Sequence, residues 1–472
     1  MSASSEPISL INDDAVSPSL RGGSLSFIET LGQSIANISP TFTPALNISV
    51  VAGLAGNASW LAYLIGTIGM LLVAGNIGIL AKRHPMAGSY FVYIGRTLGP
   101  FAGLIAGWSM IAAYIVTAIA VVFGAGIFLD NMLTALGFAA FVPNRAAFYV
   151  VFTLLVAAAA YSDVRLSSRM GLILEGVSLA IIAAITVLVL MRHGTAVDPQ
   201  QFVNIKFGGV MGALAFSVFS FVGFESAASM GKEARNPTQT VPRAIMMSAI
   251  LAGGFFVVIA YCMVLGVADK ADVIGNSAAP FSEITKAAGL TWAGGVVYFA
   301  SLISAFACTL ACINASSRMV FSMSRYQFLH ASAGAVSQKH QTPHIAIAAS
   351  TALTILVTLL FLPADPLNAF GYTGTFATFG FLVVYMLMCV VAPVELKRAG
   401  ELKAKHIILS AAGVLVMAFV IFGSLYPIPS APYNYIPYLF GGYLLIGAVW
   451  YGVLTQRNKN ITLNNVMLLD ME

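Results

Sequence analysis

The chain has 472 residues, of which 59% are hydrophobic and only 9% charged, with a net charge of +5. A soluble protein carries about a quarter charged residues. A water-solvated surface is therefore excluded, and lipid must be the main solvent, as the mean hydropathy of +0.88 also indicates.

In chain order, residues 1–24 are polar, rich in Ser and carry one basic residue, Arg21. They contain no short apolar core with a cleavage site, so they read as a cytoplasmic tail and not as a signal peptide. Apolar stretches then recur at 25–54, 59–81, 87–129, 146–162, 168–191, 207–231, 242–267, 292–325, 342–362, 368–395, 406–426 and 433–455. A crossing needs roughly 20 apolar residues, so these predict about twelve spans. The stretches are too long and too uniformly apolar for the alternating strands of a barrel, and only helices remain. The 87–129 and 292–325 stretches exceed one crossing and should tilt or project from the membrane.

Two spans contain places where a helix should fail. The first reads Asn37-Ile38-Ser39-Pro40-Thr41-Phe42-Thr43-Pro44. Each proline lacks an N–H and clashes with the carbonyl four residues back, so the pair should open a full turn. The sixth reads Phe219-Ser220-Phe221-Val222-Gly223-Phe224-Glu225-Ser226, with a weak helix former and an ionisable group deep in an apolar run. Both breaks fall in the first span of a five-span block. Paired interrupted helices in two inverted halves mark the binding site of a secondary transporter. The predicted organisation is a first repeat at 25–191, a second at 207–395, two further helices at 406–457 and a tail at 458–472.

The basic residues sort by side. All Lys and Arg lie in one set of loops and tails except Arg145, Arg192, Lys206, Lys270 and Lys286. The positive-inside rule puts both termini in the cytoplasm, in agreement with an even span count. Topology thus accounts for the positive balance without a nucleic-acid partner. The cysteines, Cys262, Cys308, Cys312 and Cys389, all lie in apolar runs and read as packing residues, not as disulfides or metal ligands.

The stretch Pro85-Met86-Ala87-Gly88-Ser89-Tyr90-Phe91-Val92-Tyr93, followed by Gly99-Pro100-Phe101, Gly103, Gly107 and Trp108, resembles the loop and third helix of the amino acid–polyamine–organocation permeases. Gly223-Phe224-Glu225-Ser226, then Glu233, Asn236-Pro237 and Pro242-Arg243-Ala244-Ile245, is similar to that family's sixth helix and following loop. Asn314-Ala315-Ser316-Ser317-Arg318, with Ser324-Arg325, resembles the end of its eighth helix. The likeness runs from about Ser24 to Arg457. It implies an all-α polytopic fold of two inverted five-helix repeats plus two helices. It also implies transport of amino acids or amines by proton symport or exchange. The basic cytoplasmic loops point to an inner or plasma membrane, and no cofactor is expected. The substrate would lie between the breaks of helices 1 and 6, with helices 3, 8 and 10 around it. The family's first break is usually glycine-rich, and bare amides there hold the substrate carboxylate. Here Ser39-Pro40-Thr41 stands instead, which leaves the amides of Thr41, Phe42 and Thr43 and three hydroxyls, and also leaves room for an amine without a carboxylate.

Substrate contacts are therefore expected at Ile38, Ser39, Pro40, Thr41, Tyr114, Phe219, Phe221 and Gly223. One of the two phenylalanines would stack on an ammonium. Glu225 is expected to gate helix 6 or carry the coupling proton, and Glu175 to relay protons; a structural hydrogen bond is the alternative for each. Ser301 and Ser304 offer a sodium site with carbonyls freed in helix 1, or simply pack. Glu29 reads as a gate or a snorkelling residue. Glu233, Arg235 and Arg243, with Arg83 and Arg96, form either an inward-closed salt-bridge set or a solvated basic loop. No phosphate-binding GxxxxGK[S/T] appears, which speaks against ATP drive, and no convergent acid, base and metal set suggests an enzyme. A channel or uniporter is the competing membrane reading. Oligomeric state stays open.

Overall fold

The computed structural model describes residue 20 and residues 22–457, apart from 84–88, 139, 141–143, 163, 194–197, 204, 268–269, 276 and 427. Residues 1–19 and 21 of the predicted 1–24 tail, the predicted tail 458–472 and the Pro85–Gly88 part of the loop motif lie outside the described residues. Helices dominate: α1 (Phe27–Ile38), α2 (Phe42–Ala55), α3 (Ser59–Arg83), α4 (Ser89–Leu98), α5 (Pro100–Ala135), α6 (Arg145–Tyr161), α7 (Val164–His193), α8 (Phe207–Phe219), α9 (Pro237–Gly266), α10 (Ala271–Gly275), α11 (Pro280–Ala287), α12 (Ala293–Arg325), α13 (His344–Leu360), α14 (Pro366–Arg398), α15 (Ala404–Leu425) and α16 (Ile436–Arg457). Among the described residues no strand ladder forms, as lipid demands of open backbone.

Among the described residues, eight helical stretches are long and apolar enough to cross a bilayer. The first, Phe42–Arg83, holds both α2 and α3, which are divided by a short 3-10 turn at Gly56–Ala58. Three further apolar helices, α6, α8 and α13, are shorter. This is a multi-pass membrane protein.

Two predicted elements differ. The 87–129 stretch is not one helix. It divides at Gly99, whose φ of +99° is open to glycine, into α4 and a 36-residue α5. Pro44 does not open a turn, because it is the third residue of α2. N–H groups of a helix's first turn have no intrahelical partner, so a proline there removes nothing. The first break is confined to Ser39–Thr41.

Burial sorts centre from rim. The apolar window of α5 is 89% buried and that of α16 only 11%. Leu445, Ile446 and Val449 on α16 are exposed, as side chains that face lipid should be. α5 packs on α12 and α14, and α3 packs on α9. The broken elements run alongside each other: α2 packs on α8, and α1 packs on the 3-10 helix Ser226–Met230. The first half of one meets the second half of the other, so the two run in opposite directions.

Candidate functional site

α1 begins with a capping box: Ser26 N–H donates to Glu29 and the Glu29 amide to Ser26 Oγ. Glu29 is buried and pairs with Arg165 at 3.2 Å and with Arg169, joining α1 to α7. The helix ends at Ser39, held in the left-handed region at φ +52°. Thr41 is the N-cap of α2, yet its own side chain caps nothing. Glu175 of α7 supplies the cap. Its Oε1 accepts from the Thr41 amide at 3.2 Å and from the Thr41 hydroxyl at 3.1 Å. Its Oε2 accepts from Ser304 Oγ of α12 at 2.7 Å, and Ser304 Oγ in turn lies 2.5 Å from Ser39 Oγ. A carboxylate on the positive end of a half-helix is the expected pairing. Here that anion is a side chain of the protein.

The donors expected at the first break are thus largely engaged. The Thr43 amide donates to the Ser39 carbonyl and its hydroxyl to the carbonyl of Ile38. Ile38 is buried at the end of α1, and Pro40 lies between the two helices. Ser301 Oγ donates to Val297 O on its own helix at 3.0 Å, so of the two serines Ser304 is the one that reaches the break. Among the described residues no group of three or more His, Cys, Asp or Glu is arranged to hold a metal.

The second break is longer. α8 ends at Phe219, and tight turns carry the chain to the 3-10 helix at Ser226. Gly223 turns at φ +94°, and a Cβ there would fall 2.5 Å from Asn37 Cγ. Only glycine satisfies both demands. Glu225 is fully buried and held by neutral donors: Tyr114 of α5 at 2.7 Å, Tyr385 of α14 at 2.5 Å and the Gly223 amide at 3.2 Å. Tyr90 of α4 donates to its carbonyl at 2.5 Å. Tyr114, expected to meet substrate, is therefore a partner of Glu225.

The two phenylalanines part company. Phe221 stacks edge-on against Phe256 of α9, centroids 5.2 Å apart. Phe219 joins an aromatic cluster with Phe370 (6.3 Å), which continues to Phe42 (5.8 Å) and Phe128 (5.0 Å).

Several residues of this centre carried no sequence signal of their own. Asn37 stands between the breaks: Cys312 Sγ donates to its Oδ1 at 2.9 Å and Cys308 Sγ to its carbonyl at 3.2 Å. Its Nδ2 is buried without a partner. The cysteines thus steady the break as well as pack. Tyr385 and Ser178 were indistinguishable from ordinary packing residues in apolar helices, and Tyr90 stood in the loop motif without a partner assigned; Ser178 accepts from the Thr41 hydroxyl at 3.1 Å.

At the end of the bundle that carries α1's start, Glu233 meets Arg318 and not the arginines of its own loop. The pair is bidentate, 2.6 and 2.9 Å, with both side chains 1% exposed. Arg83 pairs with Glu401 instead, and Arg235 Nε donates to Gly23 O. Leu25 lies against Ala234 as a parallel bridge.

A model of the family described as amino acid permease matches residues 30–453. The branched-chain amino acid permease BcaP of Bacillus subtilis (strain 168) is 25% identical over 365 residues, 73% of this chain and 76% of that protein. Cationic amino acid transporter 4 of Mus musculus is 26% identical over 358 residues, 72% of this chain and 55% of that protein. The low-affinity putrescine importer PlaP of Escherichia coli (strain K12) is 24% identical over 313 residues, 65% of this chain and 68% of that protein.

Proposed function

We propose, from the premise that the chain belongs to the amino acid permease family, that it is a secondary active transporter of amino acids or related small amines. It works by alternating access in an inner or plasma membrane, coupled to protons. Twelve spans, two inverted repeats at 25–191 and 207–395, and cytoplasmic termini belong to this reading. The relatives' names span branched-chain amino acids, cationic amino acids and putrescine. The group common to all three is an amine.

The observation that carries the reading is Glu175 on Thr41. A substrate carboxylate entering the first break needs the donors that Glu175 occupies. A protonated carboxyl has lost its charge and gained an O–H donor. Its hold on the Thr41 amide weakens, and that amide becomes free for the substrate. Proton and substrate then load together, and loss of the proton returns Glu175 to Thr41 and expels the carboxylate. Glu225 serves as the gate, tying the second break to α5 and α14 through the two tyrosines.

An exchanger without net ion coupling is the second reading. The three hydrogen bonds that hold Glu175 favour it, since an anion fixed as the cap of α2 need not take up a proton. The test is uptake into proteoliposomes, with pooled labelled amino acids and amines, with and without an inward proton gradient. Symport predicts accumulation that collapses with a protonophore. Flux only into preloaded vesicles establishes exchange. Flux that never exceeds equilibration, with or without preloading, establishes a uniporter.

A further inference from the structure

On the outer surface of the bundle, α3 is flanked by two helices that run antiparallel to it. On the α9 side Thr67 meets Gly253 and Gly78 faces Pro242. On the α15 side Gly69 meets Val416 and Gly75 meets Leu409. A strip of α3 between these walls stays uncovered. Leu64 and Ile68 are exposed, and Gly75, Gly78 and Ile79 are half-buried. The two glycines recess the floor toward the end of α3: a Cβ on Gly78 would meet one outside atom within 4 Å, Pro242 Cβ at 3.8 Å. The result is a shallow apolar groove that opens to the hydrocarbon of the bilayer.

Three cations stand at its mouth. Lys82 follows Gly78 by one turn on the floor, Lys405 precedes Leu409 by one turn on the α15 wall, and Arg243 adjoins Pro242 on the α9 wall. All three are exposed, and none has a hydrogen-bond or ion-pair partner among the described residues. Arg243 shares its face of α9 with exposed Met247 and Ile250, so its charge stands at the edge of a lipid-facing stripe. Glu401, just before α15, is taken by Arg83 at 2.5 Å. The mouth lies at the end that carries α1's start, because α9 begins beside Arg235, whose Nε donates to Gly23 O.

We propose that this groove holds one phospholipid of net negative charge, its headgroup among Lys82, Arg243 and Lys405 and an acyl chain along the α3 floor. Basic side chains at the membrane surface attract anionic headgroups. A soluble anion would use the mouth alone, and a zwitterionic lipid would use the floor with little gain from the three charges. The bound lipid joins α15, on the rim, to α3 and α9. No residue of the groove belongs to either break, and the site does not rest on the proposed coupling.

The test takes the full chain from nanodiscs of equal phosphatidylglycerol and phosphatidylcholine and identifies the retained lipid by native mass spectrometry. The expected result is one phosphatidylglycerol per chain, preferred about fivefold or more over phosphatidylcholine. The triple variant Lys82→Gln, Arg243→Gln, Lys405→Gln should lose that preference, whereas Lys339→Gln, an exposed lysine elsewhere, should keep it. Gly78→Leu keeps every charge and fills the floor, so it should lose the retained lipid. Should Gly78→Leu fail to fold, Ile79→Trp fills the same floor. Equal retention of the two lipids by the parent chain would overturn the proposal, as would an unchanged preference in the triple variant. Retention in the floor-filled variant would reveal diffuse attraction to a basic surface, and release by excess free glycerol phosphate would reveal a site for a soluble anion; either would also overturn it.

Discussion

Glu175 and Glu225 are both fully buried carboxylates with no basic partner among their described hydrogen bonds, yet they are held in different ways. Glu175 bridges three helices through Thr41 and Ser304, whereas Glu225 sits in a cage of tyrosine hydroxyls. Replacing each by glutamine separates their roles. Glu175→Gln imitates the protonated state, so proton-driven accumulation should vanish while exchange between loaded vesicles continues. Glu225→Gln replaces one acceptor oxygen by a donor facing other donors. Hydrogen bonds to charged groups contribute about 1.5–3 kcal/mol each, so both accumulation and exchange should fall by tenfold or more. Protonophore-sensitive accumulation in Glu175→Gln would rule out the coupling mechanism. Both glutamates were legible in the sequence as ions in apolar runs. Their partners were not, because a tyrosine or serine in a membrane helix looks the same whether it packs or donates.

At the scale of elements, the breaks were readable because backbone chemistry is local. Pro40 ends α1, and Gly223 supplies the positive φ that turns the chain after α8. Pro44 shows the limit of that reading. Its effect depends on its position relative to the helix start, and that start is set by Glu175 from another helix. Gly223→Ala tests the second break. A left-handed conformation costs a residue with a Cβ about 1–2 kcal/mol, and this Cβ would also overlap Asn37. Uptake should drop at least tenfold while the protein still reaches the membrane, measured by initial rates normalised to surface expression. A normal rate would mean that Asn37 and Gly223 do not form a fixed contact between the breaks.

At the scale of the whole molecule, the ionic links at the end that carries α1's start include Glu29 to α7 and Glu233 to Arg318 of α12. The second is wholly buried. Removing one partner of such a pair leaves an uncompensated charge, at a cost of about 3–5 kcal/mol. Arg318→Met should therefore lower thermal stability in detergent markedly. The double variant Arg318→Met with Glu233→Met should recover most of it, since an apolar pair of similar volume is tolerated there. It should also leave that end of the bundle easier to open, read as faster labelling of cysteines introduced beneath the pair. A single variant as stable as the parent would show that the pair is not closed in the membrane.

The sequence by itself determined the solvent, the helical class, the run of apolar segments and the two breaks. Each follows from local quantities: hydropathy over about twenty residues, or the backbone limits of proline and glycine. The motif likeness added the family, which the match over residues 30–453 bears out. Tertiary structure alone decided the partners. That Glu175 caps α2, that Tyr385 donates to Glu225, and that Glu233 chooses Arg318 over nearer arginines depend on contacts between residues 85 to 160 apart in the chain. In a bundle whose helices are nearly all apolar, little in one helix's composition specifies which neighbour's hydroxyl it will meet. Packing makes that choice, by bringing the few polar groups to where no water can serve them.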